Sequence, residues 1–249
     1  LEGRAVLVTG ASAGLGRHFA ATLARAGARV AMAARRLDRL EELAREIRAE
    51  GGEVEPIRLD VTDRASVVDA IDKAEQAFGP LRALVNNAGI AKPQWITEIT
   101  EADYDRIMDT NAKGMWLVAQ EVGRRMIARG EGGQIVNIAS MGGIIVTRQL
   151  AAYGMSKAAV IHMTKAMALE WARHEINVNA ICPGYVSTEM NSYFFDSEEG
   201  RKFVSGFLRK RLMRAGDLDE ILLLLVSGDS RALTGSIVTA DDAQSFTLY

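Results

Sequence analysis

Short apolar runs alternate with longer stretches of helical character from residue 5 to residue 240. Most of the runs are short and largely apolar, as strands buried on both faces are. They predict strands near 5–9, 29–34, 53–58, 82–86, 133–139, 176–181 and 235–240. The intervening stretches predict helices near 14–27, 37–50, 64–78, 101–129, 152–173 and 217–228.

Regular alternation of strand and helix indicates an α/β fold with a parallel sheet between two layers of helices. The chain contains no internal repeat, low-complexity tract or linker rich in Pro and Ser. We therefore predict one domain over residues 1–249, built on a doubly wound, parallel, seven-stranded sheet.

Residues 187–216, here called the lid segment, break this alternation. They contain five aromatic residues together with six basic and four acidic ones. Long segments beyond the carboxyl ends of strands shape ligand sites in open α/β sheets, so we predict a lid over the substrate. A pair of surface helices with a solvated basic face is the alternative.

Charge and composition narrow the possible functions. Thirty basic and 32 acidic side chains give a net charge of −2, which argues against a main role in binding nucleic acid or an anionic membrane. The longest aliphatic run, Ile221 to Val226, is far shorter than the ~20 residues of a membrane span. The single cysteine, Cys182, cannot form an intrachain disulfide and suits a reducing compartment. We expect a cytoplasmic protein whose natural start differs from Leu1.

A glycine-rich loop lies between the first predicted strand and the first predicted helix. Glycines at such positions permit a tight turn, and the N–H groups of the helix N-terminus can bind a pyrophosphate. The position between strand and helix makes this motif a candidate dinucleotide site. Its candidate cofactor-binding residues are Gly10, Ser12, Ala13, Gly14, Leu15 and Gly16.

The end of the second strand predicts which dinucleotide is bound. A carboxylate at this position would bind the adenosine ribose and repel a 2′-phosphate. Ala34 occupies it instead, and Arg35, whose guanidinium suits a phosphate, comes next. We therefore predict NADP(H) in preference to NAD(H), with Arg35 in contact with the phosphate and Arg36 a solvated residue.

Tyr153 and Lys157 stand four residues apart on a predicted helix and so share one face. The reference pKa of tyrosine, ~10, is too high for a base at neutral pH, and we expect the nearby ammonium to lower it. The pair then forms a general acid/base for a carbonyl or an alcohol. Ser140 lies thirteen residues earlier, at a strand end where ligands of α/β proteins bind.

Taken in order, these motifs resemble the short-chain dehydrogenase/reductase family, in its branch of single domains of the Rossmann type. The resemblance covers nearly the whole chain. The motifs that carry it are TGASAGLG at 9–16, Asp60-Val61, NNAG at 86–89, Asn111, Ser140, Tyr153 with Lys157, and Pro183-Gly184 leading to Thr188.

The resemblance implies a role for each matching residue. Tyr153 would donate the proton in reduction, Ser140 would bind the substrate carbonyl oxygen, and Lys157 would lower the pKa of Tyr153 and hold the nicotinamide ribose. Asn111 would hold a water in a proton relay. Further implied cofactor contacts are Asp60 and Val61 at the adenine, Asn87, Ala88 and Gly89 at the ribose, Val186 and Thr188 at the carboxamide, and the adjoining Pro183 and Gly184. No residue is expected to bind a metal.

The chain departs from the family pattern at its last strand. Many relatives end this strand with a Val-Asp-Gly-Gly-like turn, whereas this chain has Ala240-Asp241-Asp242-Ala243. We expect the tail and the subunit contacts that it makes to differ.

Three functions remain open, and we expect the first: an NADP(H)-dependent oxidoreductase that interconverts a small ketone and a secondary alcohol. The second is a 3-oxoacyl-thioester reductase, in which Arg124, Arg125, Arg129 and the basic residues of 201–214 would dock an acidic carrier. The third is a dinucleotide-binding protein without catalysis.

The resemblance also implies a homotetramer or homodimer, formed through the helices near 101–129 and 152–173. Apolar residues on the outer faces of these helices are the candidates for the contact: Met115, Trp116, Val118, Ile161 and Met167.

Overall fold

Seven strands form one parallel sheet in the computed structural model of the chain, which describes residues 1–189 and 191–246. Met190 of the lid segment and residues 247–249 lie outside the described residues. The strands are Ala5–Thr9 (β1), Arg29–Ala34 (β2), Glu53–Arg58 (β3), Ala83–Asn86 (β4), Gly133–Ile138 (β5), Ile176–Pro183 (β6) and Ile237–Ala240 (β7). The predicted doubly wound sheet is confirmed.

The strand order is β3-β2-β1-β4-β5-β6-β7, and every neighbouring pair is parallel. The order reverses between β1 and β4, so the loops after these strands diverge and leave a crevice at the carboxyl edge of the sheet. The helices are Gly14–Arg25 (α1), Leu37–Ala49 (α2), Arg64–Phe78 (α3), Glu101–Met108 (α4), Met115–Arg129 (α5), Ala151–Trp171 (α6), Ser192–Phe195 (α7), Glu198–Ser205 (α8) and Asp219–Ser227 (α9). Two of them, α7 and α8, lie within the lid segment.

The core lies on both faces of the sheet because successive strand residues point to opposite sides. On β1, Leu7 packs on the face covered by α3, α5 and α6, whereas Val6 and Val8 pack on the face covered by α1, α2 and α9. All three are fully buried. This explains why the strands are apolar at almost every position.

The helix predicted over 101–129 is interrupted. A π-helical turn, Asp109–Gly114, joins α4 to α5. A π turn hydrogen-bonds five residues back and so contains one residue more than an α-helical turn. Asn111 and Gly114 are buried in it.

The outer faces of α5 and α6 carry fewer apolar residues than predicted. Met115 and Val118 are fully buried and Met167 is 3% exposed, because all three pack against the sheet. The prediction that they lie on an outer face is wrong. Trp116 is 44% exposed, as predicted, and Ile161 is partly buried. Leu169 on α6 is 82% exposed.

Among the described residues, every helix is too short or too polar to cross a bilayer. The same described residues contain no cluster of three or more His, Cys, Asp or Glu side chains that could hold a metal ion.

Candidate active site

The glycine-rich loop brings the backbone after β1 against the backbone after β4. Gly10 has φ +69°, and a Cβ added to it would lie 2.8 Å from Asn87 Nδ2 and 2.9 Å from Ala88 Cα. A Cβ on Gly16 would collide with the Gly10 carbonyl oxygen. Ala13, the N-cap of α1, provides no side-chain hydrogen bond to the first turn of the helix. The N–H groups of this turn are therefore available to an anion such as a pyrophosphate.

The loop also faces the segment that follows β6. Gly14 has φ +53°, and a Cβ at this position would lie 3.7 Å from the Thr188 side chain. Asn191 fixes that segment, because its Oδ1 accepts the Thr188 N–H at 2.9 Å and its Nδ2 donates to the Val186 carbonyl at 2.8 Å. The predicted pyrophosphate and carboxamide residues therefore face each other across the crevice.

Two arginines and one aspartate lie close together where β2 and β3 end. Arg35 is exposed just after β2, and Arg36 Nη2 donates to Ser12 Oγ at 3.1 Å. Arg36 therefore contacts the glycine-rich loop, which sequence reasoning missed. The pKa of Asp60 is lowered: partial burial pushes it upward, but two hydrogen bonds from Thr62 and the nearby Arg35 outweigh that effect.

Val61, the other residue predicted at the adenine, is buried against the π turn. A Cβ added to Gly114 would lie 2.7 Å from Val61 Cγ2. The glycine therefore permits close contact between the end of β3 and the π turn.

A chain of buried polar side chains fixes the loop after β4. Thr9 Oγ1 accepts the N–H groups of Asn87 at 2.9 Å and Ala88 at 3.0 Å. Asn86 Nδ2 donates to the Met115 carbonyl at 2.8 Å and to Asn137 Oδ1 at 3.1 Å. Because these groups are buried, each hydrogen bond would be costly to lose, and the loop geometry is rigid.

Asn111 in the π turn holds the next residues of the same loop. Its Oδ1 accepts the Ile90 N–H and its Nδ2 donates to the Ile90 carbonyl, both at 2.8 Å. Nδ2 also donates to Ser156 Oγ at 3.0 Å. A Cβ on Gly89 would lie 3.3 Å from Asn111 Oδ1 and 3.5 Å from Lys157 Nζ. The amide of Asn111 is thus occupied with positioning the loop, and its role in a water relay stays a prediction.

Ser140, Tyr153 and Lys157 come together at the carboxyl end of β5. Ser140 caps a 3₁₀ turn, Met141–Gly143, by accepting the Gly142 N–H at 3.1 Å. The Tyr153 side chain is partly buried, and its phenol lies close enough to Ser140 for a hydrogen bond. Lys157 Nζ donates to the Ile138 carbonyl at 2.8 Å and lies 5.7 Å from the centre of the Tyr153 ring.

The pKa values of Tyr153 and Lys157 differ from those expected from the sequence. Burial raises the pKa of Tyr153, and the hydrogen bond with Ser140 only partly opposes that rise. Burial also lowers the pKa of Lys157 to about 8. The protein alone therefore keeps the Tyr153 phenol neutral, which is the form that can donate a proton.

Tyr185, which sequence reasoning missed, forms the wall between Tyr153 and the lid segment. It stacks on Phe207 with ring centres 5.8 Å apart and meets Phe203 edge-on at 5.3 Å. It also lies close enough to Tyr153 for the two phenols to interact electrostatically. The only sequence signal was an aromatic residue directly after Pro183-Gly184.

The turn after β7 holds the other side of the lid segment. Asp242 and Ala243 have φ +55° and +62°, so they occupy the left-handed region where many relatives have glycine. The Asp242 carboxylate pairs with Arg211 Nε at 2.8 Å and Arg209 Nη1 at 3.1 Å. Gln244 Oε1 accepts the Tyr185 N–H at 2.6 Å. The turn thus keeps its backbone path without glycine and ties the tail to the lid segment.

These features fit a Rossmann-type dinucleotide site next to a partly buried Ser140 and Tyr153 and a buried Lys157. A family model described as short chain dehydrogenase matches residues 4–199. The chain therefore belongs to the short-chain dehydrogenase/reductase family, as the motifs predicted, and it is an oxidoreductase of that family.

Two relatives align over almost the full chain. Gluconate 5-dehydrogenase from Gluconobacter oxydans (strain 621H) is 36% identical over 253 residues, covering 100% of this chain and 97% of the relative. A 3-oxoacyl-[acyl-carrier-protein] reductase from Thermotoga maritima is 34% identical, with 97% of each chain covered. Among solved structures, a variant of actinorhodin polyketide ketoreductase with NADPH superposes with a TM-score of 0.92, 30% identity and 97% of each chain covered.

Proposed function

We propose that the protein is an NADP(H)-dependent oxidoreductase that interconverts a small ketone and a secondary alcohol, with Tyr153 as the acid/base. The observation that carries this proposal is the position of the Tyr153 phenol, which lies within hydrogen-bonding reach of Ser140 and next to Lys157. We take residues 1–249 as one domain, with the lid segment closing over the substrate.

The residues around the crevice fit a dinucleotide. Gly10 and Gly16 permit the tight path of the loop after β1, and the first turn of α1 presents N–H groups without a side-chain cap. We assign the pyrophosphate to this loop and the ribose groups to Asn87, Gly89 and Lys157. When bound, the reduced nicotinamide would supply the hydride to the carbonyl carbon.

The chain's own side chains handle the carbonyl oxygen. Ser140 Oγ would donate a hydrogen bond to it, and the Tyr153 hydroxyl would transfer its proton as the C=O π electrons move to the oxygen. The product is the alcohol and a Tyr153 phenolate, which solvent reprotonates. Lys157, charged below pH of about 8, would stabilise that phenolate and hold the ribose.

Arg35 supports NADP(H) rather than NAD(H). No carboxylate stands at the end of β2, Arg35 is exposed directly after it, and Arg36 donates to the loop hydroxyl of Ser12. A guanidinium pairs well with a phosphate group. The NADPH that accompanies the related ketoreductase structure is consistent with this choice.

An acyl-thioester reductase is the second candidate, since one relative bears that name. Three of the arginines expected to dock an acidic carrier, Arg124, Arg125 and Arg129, are paired with carboxylates of α3 and α5. Arg125 contacts Glu121, Asp72 and Glu75, and Arg129 contacts Glu75 at 2.7 Å. In the lid segment, Arg209 and Arg211 pair with Asp242. These pairings favour a small substrate over a carrier-bound one.

We further propose a cytoplasmic homotetramer or homodimer that has neither a nucleic-acid nor a membrane partner. The exposed Trp116 and Leu169 on α5 and α6 give these helices an apolar surface that a second copy would cover. Light scattering at micromolar concentration tests the assembly, and a monomeric mass would contradict it.

Oxidation of NADPH and of NADH, followed against ketones, ketoses and acetoacetyl thioesters, tests the catalytic proposal. We expect turnover of small ketones with NADPH in preference to NADH. Turnover confined to thioesters would favour the second candidate. Tight binding of NADPH without turnover of any carbonyl compound would favour a dinucleotide-binding protein without catalysis.

A further inference from the structure

A hydroxyl group near Tyr153 has no hydrogen-bond partner among the described residues. Thr147 lies in the loop 144–150, between the 3₁₀ turn after Ser140 and α6. Its Oγ1 is shielded from solvent, and among the described residues it makes no hydrogen bond. Burying a hydroxyl in this way is unfavourable unless a ligand or water satisfies it, so the group requires an explanation.

The surroundings of Gly142 indicate which groups lie near the Thr147 hydroxyl. A Cβ placed on Gly142 would lie 3.4 Å from Ser140 Oγ, 3.7 Å from Tyr153 Cε1 and 3.9 Å from Thr147 Oγ1. All three groups therefore lie within 4 Å of one position, which the glycine leaves free of a side chain. Ser140 and Tyr153 are the residues proposed to bind the reacting oxygen. Thr147 Oγ1 is thus positioned to contact a substrate atom that lies next to the reacting oxygen.

The loop holds Thr147 in place. The Ile145 N–H donates to the Met141 carbonyl at 2.9 Å, and Ile145 is buried. Gln149 has φ +63°, a left-handed conformation that non-glycine residues rarely adopt, and its carbonyl accepts the Gln94 N–H at 2.8 Å. Strained backbone of this kind persists where the surrounding structure fixes it, often at ligand sites. The position of the Thr147 hydroxyl is therefore set before substrate binds.

We propose that Thr147 is a positioning residue that binds a second oxygen of the substrate, carried by the carbon next to the reacting carbonyl. This inference rests on the proposed function and names its substrate class: α-hydroxy ketones, and vicinal diols in the reverse direction. A threonine hydroxyl both donates and accepts, so it suits a neutral hydroxyl. Oxygens on adjacent carbons can approach within a hydrogen-bond length of about 2.8 Å, which matches two binding groups placed around one small volume.

Matched pairs of ketones test the proposal. Hydroxyacetone is compared with acetone, 1-hydroxybutan-2-one with butan-2-one, and 2-hydroxycyclohexanone with cyclohexanone, each with NADPH. Thr147→Val keeps the shape of the side chain and removes the hydroxyl. We expect it to lower kcat/KM for the hydroxy ketone by about tenfold or more, the effect of one lost hydrogen bond, and to leave the plain ketone nearly unchanged. The intrinsic reactivity of the two ketones cancels in this ratio of ratios.

Thr147→Ser is the control, since it retains the hydroxyl and should keep the preference of the wild-type protein for the hydroxy ketone. The Kd for NADPH should be the same in all three proteins. An equal fall for both ketones in Thr147→Val would overturn the inference, because a damaged loop would affect them alike. Wild-type turnover of plain ketones with no gain from the neighbouring hydroxyl would also overturn it, and would leave the proposed function intact. Absence of turnover with every ketone of this panel and of the wider one would overturn both.

Discussion

The two halves of the crevice are fixed by different kinds of contact. The half proposed to bind the cofactor, on β1 and β4, depends on buried and partly buried hydrogen bonds such as those from Ala88 and Asn87 to Thr9. The substrate half, on the lid segment, depends on an aromatic cluster around Tyr185 and on ion pairs to Asp242 from arginines that are 43% and 67% exposed. Buried hydrogen bonds are costly to break, whereas exposed ion pairs contribute little. We infer that the cofactor half is rigid and that the lid segment can change without loss of the fold.

Removal of the Tyr153 hydroxyl, where the two halves meet, should have the largest effect on activity. Tyr153→Phe keeps the ring and removes the proton donor, and loss of a general acid costs ~10²–10⁴ in rate. We expect kcat to fall by that factor while the Kd for NADPH changes little. Steady-state kinetics on the best ketone of the panel and fluorescence titration with NADPH measure the two quantities. Retention of more than about a tenth of wild-type kcat would contradict the proposed mechanism.

Removal of one hydroxyl from the cofactor half should destabilise the whole protein. Thr9→Val leaves the buried N–H groups of Asn87 and Ala88 without their acceptor, at about 1–3 kcal/mol each. We expect the free energy of unfolding to fall by about 2–4 kcal/mol. Urea denaturation at one fixed protein concentration measures it, and the slope with urea should stay constant. Thr9→Ser keeps the acceptor, so equal midpoints for the two variants would show that these hydrogen bonds do not stabilise the loop.

Loss of the Arg35 guanidinium, at the end of β2, should change the preference for NADPH over NADH and leave the other properties of the protein unchanged. Arg35→Ala should weaken NADPH binding by about 1.5–3 kcal/mol, the contribution of a charge-assisted contact, and leave NADH binding nearly unchanged. Isothermal titration with each cofactor measures the difference. Arg39→Ala removes another exposed arginine of the same region and is the matched control. The prediction fails if the wild-type protein binds both cofactors equally.

The pH dependence of activity should follow the ionisation of the Tyr153 phenol and not that of any group in the lid segment. Because burial raises the pKa of Tyr153, its phenolate is the minor form at neutral pH, and its population grows tenfold with each pH unit below that pKa. Alcohol oxidation needs the phenolate, so its kcat should rise with pH from about pH 6 to about pH 8, whereas ketone reduction needs the neutral phenol and should not rise. The residual activity of Tyr153→Phe should lack this slope. A slope that survives in that variant would assign the base to another group.

Disruption of the lid ion pairs should have the smallest effect on stability. Arg211 contacts both Asp242 and Asp217 but is partly exposed, so we expect Arg211→Ala to shift the melting temperature by no more than about 2 °C. The KM for the substrate should rise several-fold because the lid segment is held less firmly. Arg201→Ala, in the same segment but away from Asp242, is the control. A large loss of stability in Arg211→Ala would mean that the two halves are not held differently.

The sequence predicted the cofactor half better than the substrate half, for physical reasons. Buried parallel strands must be apolar, and a loop that admits a pyrophosphate must contain glycine, so β1 and Gly10 could both be recognised locally. Arg36 was the exception, since its contact with Ser12 depends on how α2 packs beside the loop.

The substrate half depends on contacts between distant residues. The pairing of Arg211 with Asp242 joins positions 31 residues apart and leaves no local periodicity. The raised pKa of Tyr153 was missed because it depends on burial, which the spacing from Lys157 does not reveal. Thr147 was missed for the same reason, since an unpartnered hydroxyl can be recognised only once its neighbours are known.

The π turn has a consequence for insertions and deletions. Met115 lies eight positions after Ile107, and both side chains are buried. At about 100° per residue, eight α-helical steps would leave them roughly 80° apart, whereas seven would align them within about 20°. A turn widened by one residue, as the π turn is, would bring the two side chains back toward one face of the helix. Deletion of one exposed residue such as Lys113 would therefore restore a continuous helix with its apolar stripe aligned. The hydrogen bonds of Asn111 to Ile90 would be lost instead. We therefore expect such a deletion to damage the candidate active site while the apolar core of the protein is kept.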